Sequence, residues 1–382
     1  MAVTLKGMTW DHTRGYLPMV ATAQRFHEMY PEIEIRWDKR SLQAFADYPL
    51  EELVQHYDLL VIDHPWVGEV FAKGILLPLD EYLDAEFLAE QQRHTVGLSY
   101  HSYHFGHHQW ALPIDAAAPV ASYRADLLDP SSVPRTWQDV MYLAQRGRVI
   151  FPAKAIDSWM NFLMLVVTLG GALFRDSQQV VDEVSGVLAL QYLKGLTSHC
   201  SQEILRYNPI DVYEVLSRED HYWYCPFAYG YINYARDGYA PHRLTFDDLV
   251  ELDDHGPLKS VLGGTGLAIS VRSSRRDWAV RYSQFVAAAR CQSTLYWESG
   301  GQPGHRTAWL DPKLNKSTSQ FALRTLPALD RSYLRPRYWG YLPFQEHAGA
   351  VVHEYLRETH NPHQTIAQLN RLYQSSVKET SW

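Results

Sequence analysis

Directly behind the apolar run Leu59-Leu60-Val61-Ile62 the chain places Asp63, His64, Pro65 and Trp66, so a carboxylate, an imidazole and an indole arrive together at the end of one segment. A carboxylate accepts from two hydroxyl groups at once, and a buried acceptor left unpaired by the wrong molecule discriminates against it. An indole adds an apolar face with a polar edge. This is chemistry for recognising a polyhydroxyl compound. The competing reading makes Asp63 a cap for the helix that follows and Trp66 a packing residue beneath the loop.

Other groups fall at comparable places. Trp10, Asp11, His12 and Arg14 follow the alternating segment Val3–Trp10, and Arg40 and Ser41 follow the alternating residues 32–37. Arg40 can hold a carboxylate or phosphate through two hydrogen bonds, or it can pair with Asp11, Asp38 or Asp63. Asp115 lies in Leu112-Pro113-Ile114-Asp115, and Trp159, Tyr229, Tyr231 and Trp339 are rings able to line a platform or to fill a core. Gly264 and Gly301 sit in the glycine-rich stretches 262–270 and 299–306. Their N–H groups can meet a ligand oxygen, or their freedom can serve a hinge; the spacing fits neither a P-loop nor a dinucleotide fingerprint.

Several chemistries are not indicated. His101, His104, His107 and His108 are irregularly spaced with no cysteine nearby, so a solvated loop is expected there and no metal. Cys200, Cys225 and Cys291 are far apart and form no CxxC pair, and no segment resembles a nucleophile elbow. No cofactor is expected.

The elements that must position these groups read as an α/β protein. Leu59 to Ile62 suits a parallel strand buried on both faces, with Pro65 ending its ladder and a short helix running to Gly74. Upstream, a strand over Val3–Trp10 is followed by a helix that Pro18 opens, with Leu17, Val20, Ala23, Phe26 and Met29 as its inner stripe, and Pro31 ends it. Residues 32–37 form the next strand, giving a right-handed parallel unit whose strands deliver polar or aromatic residues to one rim. Further on, 112–120 reads as an extended crossing between lobes. Thr136 and Asp139 form a capping box. Residues 161–169, 184–196, 276–289 and 344–376 read as helical, 262–270 as a return crossing and 299–306 as a third.

With 382 residues the chain exceeds what one core usually serves, so two lobes are expected. A net charge of −8 argues against nucleic acid or anionic lipid as partner. The 12 Trp and 25 Tyr exceed what cores usually need and suit stacking on sugars. The longest apolar stretch, 162–173, is broken by Thr168, Gly170 and Gly171 and is too short to span a bilayer. The stretch from Met1 reads as a strand and not as a signal peptide. A periplasmic or extracellular site of action follows if a signal was removed, and a cytoplasmic one if Met1 is the natural start.

In their order, these motifs resemble the family 1 extracellular solute-binding proteins, the receptor subunits of ABC importers for carbohydrates, of maltose-binding-protein type. The resemblance covers nearly the whole chain. It is carried by Asp63-x-Pro65-Trp66, Gly74-x-Leu76-x-Pro78-Leu79-Asp80 and Leu112-Pro113-x-Asp115 with Tyr123-Arg124-x-Asp126-Leu127. It continues through Pro134-x-Thr136-Trp137-x-Asp139, Leu169-Gly170-Gly171-x-Leu173-Phe174, the run from Gly263 to Ser270, Gly300-Gly301-Gln302-Pro303 and the segment 338–345.

The resemblance implies a two-lobed periplasmic-binding-protein-like α/β fold (type II) with three interlobe crossings and a ligand clamped in the cleft. Residues 1–112 with 265–303 would form the first lobe, and 113–264 with 304–382 the second. It implies a sugar, polyol or sugar derivative as ligand, an ABC transporter permease as partner and a monomer. An acidic ligand, a cytoplasmic sensor or carrier of the same fold, and an enzyme built on it remain alternatives. Related thiaminase-like transferases carry a nucleophilic cysteine in the segment where this chain has Asp115-Ala116-Ala117-Ala118-Pro119, so no catalysis is expected. His64 stands where the family usually has a small residue and is the expected place for a change of ligand. Asp63→Ala is expected to abolish binding with little effect on the fold.

Overall fold

The computed structural model describes residues 3–42, 49–358 and 360–379; Met1 and Ala2, where the first strand was expected to begin, lie outside them. In chain order the strands are β1 (Val3–Trp10), β2 (Ile33–Arg40), β3 (Leu59–Ile62), β4 (His104–Phe105), β5 (His108–Gln109), β6 (Leu112–Ala117), β7 (Pro119–Tyr123), β8 (Tyr224–Tyr229), β9 (Thr245–Asp247) and β10 (Gly263–Ile269). The helices that matter for the site are α1 (Thr13–Met29), α2 (Val67–Lys73), α3 (Ala155–Thr168), α4 (Tyr341–Arg357) and α5 (Pro362–Glu379).

The first sheet has the order β2-β1-β3-β10-β6. Strands β2 and β3 both run parallel to β1, whereas β10 runs antiparallel to β3 and β6. All four residues of β3 are buried, as an apolar run covered on both faces requires. The first three strands therefore end on one rim, and Asp11, Ser41 and Asp63 follow them there. A second, antiparallel sheet of order β8-β7-β9 carries the other lobe's core with α3, α4 and the helix Glu183–Thr197 around it. Ala118 alone separates β6 in the first sheet from β7 in the second.

Local structure departs from expectation at α1. The helix starts at Thr13, and His12 caps it by accepting from Arg14 N at 3.0 Å; Pro18 is inside the helix and does not open it. Its buried face is Arg14, Pro18, Met19, Thr22, Ala23 and Phe26, while Leu17, Val20 and Met29 are 46%, 40% and 41% exposed. The cause is Arg14, whose side chain is drawn into the interior by an ion pair with Asp115; the face one helical turn on from it must then turn inward too. Helix α3 likewise begins six residues earlier than its apolar run suggests, because the polar Ser158 is satisfied by the Ala153 carbonyl at 2.7 Å. The capping box of Thr136 and Asp139 and the left-handed stop at Gly74 form as expected.

The histidine-rich stretch is a small hairpin of β4 and β5 and not a loose loop. Gly106 and His107 turn it with φ of 58° and 73°, and His108 Nδ1 lies 3.0 Å from Asp80. No helix among the described residues is long and apolar enough to cross a membrane.

Candidate functional site

The rim of the first sheet faces the second lobe, and two arginine clusters join the lobes across it. The inner one lies at the crossing strands. Arg14 donates through Nε to Asp115 Oδ2 at 2.7 Å, through Nη2 to Asp115 Oδ1, and through Nη1 to the Gly230 carbonyl at 2.9 Å. Its guanidinium also covers the Tyr231 ring, 4.6 Å from the centroid. One side chain from α1 thus ties β6 to the end of β8. His12 packs edge-on against Tyr231, and its Nε2 is 3.3 Å from Tyr239 Oη. Burial, helped by the Arg14 charge, lowers the His12 pKa to about 4, so the ring is neutral. For Arg14 burial works against the charge, but Asp115 outweighs it and the pKa rises.

The outer cluster lies at the lip. Asp63 Oδ1 accepts from His64 N at 2.8 Å, which caps the 3₁₀ turn His64–Trp66. Both Asp63 oxygens also accept from Arg335 Nη2, at 3.0 and 2.8 Å, while Arg335 Nη1 donates to Gln345 on α4 at 3.0 Å. Arg335 is only 4% exposed. Burial pushes the Asp63 carboxyl up, yet Arg335 and the His64 contacts together hold it well below the usual carboxylate range. Two residues along, Arg337 Nη1 donates to the carbonyls of His101, Ser102 and His104 at 2.6, 3.2 and 2.8 Å. The strap around residues 335–339 lies so close to α2 that a Cβ on Gly68 would stand 1.8 Å from the Arg337 oxygen. Only glycine fits there.

Near the outer cluster stand Tyr229, Asp157 and Tyr341 of the second lobe. The Tyr229 ring rests on Gly263, where a Cβ would come within 2.5 Å of Cε1. Its phenol is pushed up by burial and lies within reach of the charges of Arg335, Asp63 and Asp157. Asp157 is buried in the first turn of α3, and Tyr341 Oη accepts from Trp159 Nε1 at 3.4 Å. Gly263→Ala is expected to swing the Tyr229 ring into the cleft. Ligand affinity should fall roughly tenfold, the size of one misplaced contact, with circular dichroism unchanged; calorimetric titration measures it, and unchanged affinity would show that the ring is not part of the site.

The structure gathers Arg14, Asp115, His12, Tyr231, Asp63, His64, Tyr229 and Gly264 at the interlobe face. Gly264 has a φ of 99° and lies against the Asp115 carbonyl, so backbone conformation and close approach account for it. Three expected ring platforms are core instead: Trp10 packs over Gly15, Trp66 under the β3 loop, and Trp159 against Phe162 and Phe344. His64 is also fully buried, edge-on to Tyr103, and burial together with Arg335 lowers its pKa to about 4. It shapes the loop and offers no open face to a ligand. Asp11 is taken by Lys39 at 2.7 Å, Arg40 is half-buried, Ser41 is exposed, Gly301 is packed against Tyr296, and Trp339 is 37% exposed beside the strap.

Sequence reasoning missed Arg335, Arg337, Asp157 and Tyr341. Arg335-Pro336-Arg337 is a visible signal, since two arginines around a proline in an aromatic segment mark a rigid charged strap. Asp157 carries no comparable signal in the sequence, being one acidic residue in a short polar stretch before an apolar run.

Potential metal ligands group elsewhere. In the set Glu90, His94 and His305, His305 Nδ1 accepts from Thr307 N at 3.3 Å, so its Nε2 carries the proton shared with Glu90 and has no free lone pair. The set Glu354, Glu358 and His360 is wholly exposed.

The sequence profile of the family described as "Bacterial extracellular solute-binding protein" matches residues 10–198. Among solved structures, the maltose-bound MalE3 of T. maritima is similar with a TM-score of 0.85 at 19% identity, covering 97% of this chain and 99% of that one. A solute-binding protein of Thermotoga lettingae, bound with alpha-D-tagatose, has a TM-score of 0.84 at 17% identity and covers 98% of this chain and 100% of that one. Another from Agrobacterium radiobacter K84, in complex with ribitol, has a TM-score of 0.82 at 17% identity, covering 98% of each chain. The fold is that of the two-lobed solute-binding proteins, and residues 10–198 match the bacterial extracellular solute-binding protein family.

Proposed function

We propose that this protein captures a sugar, polyol or sugar derivative between its lobes and presents it to the permease of an ABC importer, working outside the cytoplasmic membrane as a monomer. The observation that carries the reading is the cleft itself: carboxylates, phenols and backbone groups from both lobes meet at the carboxyl ends of parallel strands, where ligands sit in open α/β sheets. The maltose, tagatose and ribitol held by the similar structures support the same ligand class. The family is one of binding proteins. Cys225, the cysteine nearest the cleft aromatics, is fully buried, and burial pushes its thiol up to about 12, far from a nucleophile's range.

Thermal shift with maltose, ribitol and tagatose tests the proposal. At least one should raise the melting temperature, because a ligand that binds only the native state stabilises it. A panel in which no neutral carbohydrate shifts the protein while sugar acids or aromatic acids do would overturn the carbohydrate reading.

A further inference from the structure

Strand β2 closes one side of the first sheet. Among the described residues it pairs only with β1, in parallel and without a bulge along its whole length. The carbonyls of Glu32 and Arg40 face β1 and its continuation, accepting from Val3 N at 2.8 Å and Asp11 N at 2.7 Å. Backbone groups along a strand point alternately to its two sides, so the even-numbered residues bond to β1, while Ile35, Trp37 and Lys39 turn both N–H and C=O outward. Ile33, the next of that series, already has other partners: its N donates to the Tyr30 carbonyl at 3.0 Å, and its oxygen accepts from His27 Nδ1 at 2.6 Å.

Such an edge is a template for another strand, and proteins usually blunt it with proline, a bulge or charges that repel a like edge. Strand β2 has neither proline nor bulge. Its charges suit a copy of itself. Arg36 and Asp38 are exposed on one face, and an antiparallel second copy with Trp37 opposite Trp37 sets Arg36 of each chain against Asp38 of the other. In that register the outward groups of Ile35 also meet those of Lys39. Moving the centre of pairing by one residue sets Arg36 against Arg36 or Asp38 against Asp38, and like charges directly opposite are destabilising. Centring on Ile35 needs the backbone groups of Ile33, which are taken.

Helix α1 adds apolar surface beside this edge. Tyr16, Val20 and Gln24 line a groove with Ile35 and Trp37, and Leu17, one turn before Val20, is exposed like it. Arg36 now holds Glu34 of its own chain at 2.9 Å, and Asp38 accepts from Tyr57 Oη at 3.1 Å. Exposed contacts of this kind are weak and exchange at little cost.

We propose that β2 pairs antiparallel with β2 of a second copy, with Trp37 at the two-fold axis and Arg36 of each copy against Asp38 of the other, joining two first lobes in one continuous sheet. The inference goes beyond the proposed function and does not rest on it: the single chain remains the unit that binds and delivers ligand, and two such units associate.

Sedimentation velocity of the purified chain tests it, on wild type, Arg36→Asp and Asp38→Arg. A short ladder with a polar rim should give wild type a dissociation constant of roughly 10–100 µM. Each single variant should weaken pairing at least about tenfold, since it sets like charges opposite on both sides of the axis. Both side chains are exposed, so melting temperatures should stay near that of wild type. Mixed in equal amounts, the two variants should pair with each other as wild type does with itself, because one edge then carries two acids and the other two bases. The N–H groups of Ile35, Trp37 and Lys39 should exchange freely in dilute solution and become protected as concentration rises. A wild type still monomeric at about 500 µM overturns the inference. So do single variants that dimerise as wild type does, a mixture that fails to pair, or these amides already protected in the dilute chain.

Discussion

Asp157→Asn raises the melting temperature of the unliganded protein by several degrees at pH 8 and by much less at pH 5. Burial, with the Asp211 charge adding and Lys154 opposing, pushes the Asp157 carboxyl from 3.8 up to about 8. Between those values the native state keeps a proton that the unfolded chain releases. Wild-type stability therefore falls as pH rises from about 4 toward 8 and levels off beyond, a native-state penalty on the order of a few kcal/mol for a shift of this size. An asparagine cannot titrate, so the variant lacks that slope. Melting both proteins across pH 5 to 8 checks it, and a gap that stays constant would show that Asp157 is ionised at neutral pH in the folded state.

The second large effect concerns Asp63 and Arg335. Asp63→Ala is expected to do more than remove a ligand contact, because it leaves the guanidinium of Arg335 buried without its carboxylate. Stranding one member of a buried pair costs roughly 3 kcal/mol, with the partial exposure of Asp63 keeping it below the extreme. Arg335→Leu should lose a comparable amount, and the double variant Asp63→Leu with Arg335→Leu should be more stable than the sum of the singles. Denaturant melts arranged as a double-mutant cycle measure the coupling. Additive losses would mean that the pair holds nothing together. Because Asp63 belongs to a first-lobe strand end and Arg335 leads into α4 of the second lobe, the single variants should also increase the radius of gyration in solution scattering, as the lip parts.

Much of the fold was legible because its signals are local. A run such as Leu59 to Ile62, bounded by aspartates, has few other homes than a central strand, and Gly74 or Thr136 end and start helices through backbone chemistry that a sequence displays. The order of short motifs carried the two-lobed architecture. What was not legible depended on partners far away in the chain. The rotation of α1 is fixed by Asp115, 101 residues from Arg14, and no periodicity within the helix reports it. Asp63 looked like a free ligand group because Arg335 lies 272 residues on. The rings of Trp10, Trp66 and Trp159 gave no local sign of whether they would end in core or cleft, since either use needs the same apolar face.

The three crossings also bond to one another. Gly263 pairs with Ala117, Gln302 Nε2 donates to the Ala116 carbonyl at 2.7 Å, and Gly304 N donates to the Ile114 carbonyl at 3.0 Å. Mechanically this is a laminated leaf and not three separate tethers. A laminate bends easily across its plane but resists twist and shear, since either would slide one ply past the next and break the bonds between them. Any movement of one lobe against the other is then expected to follow a single angle, so one reporter on each lobe should be enough to follow it, and stiffening any one ply, for instance by a disulfide between two crossings, should slow opening and closing alike.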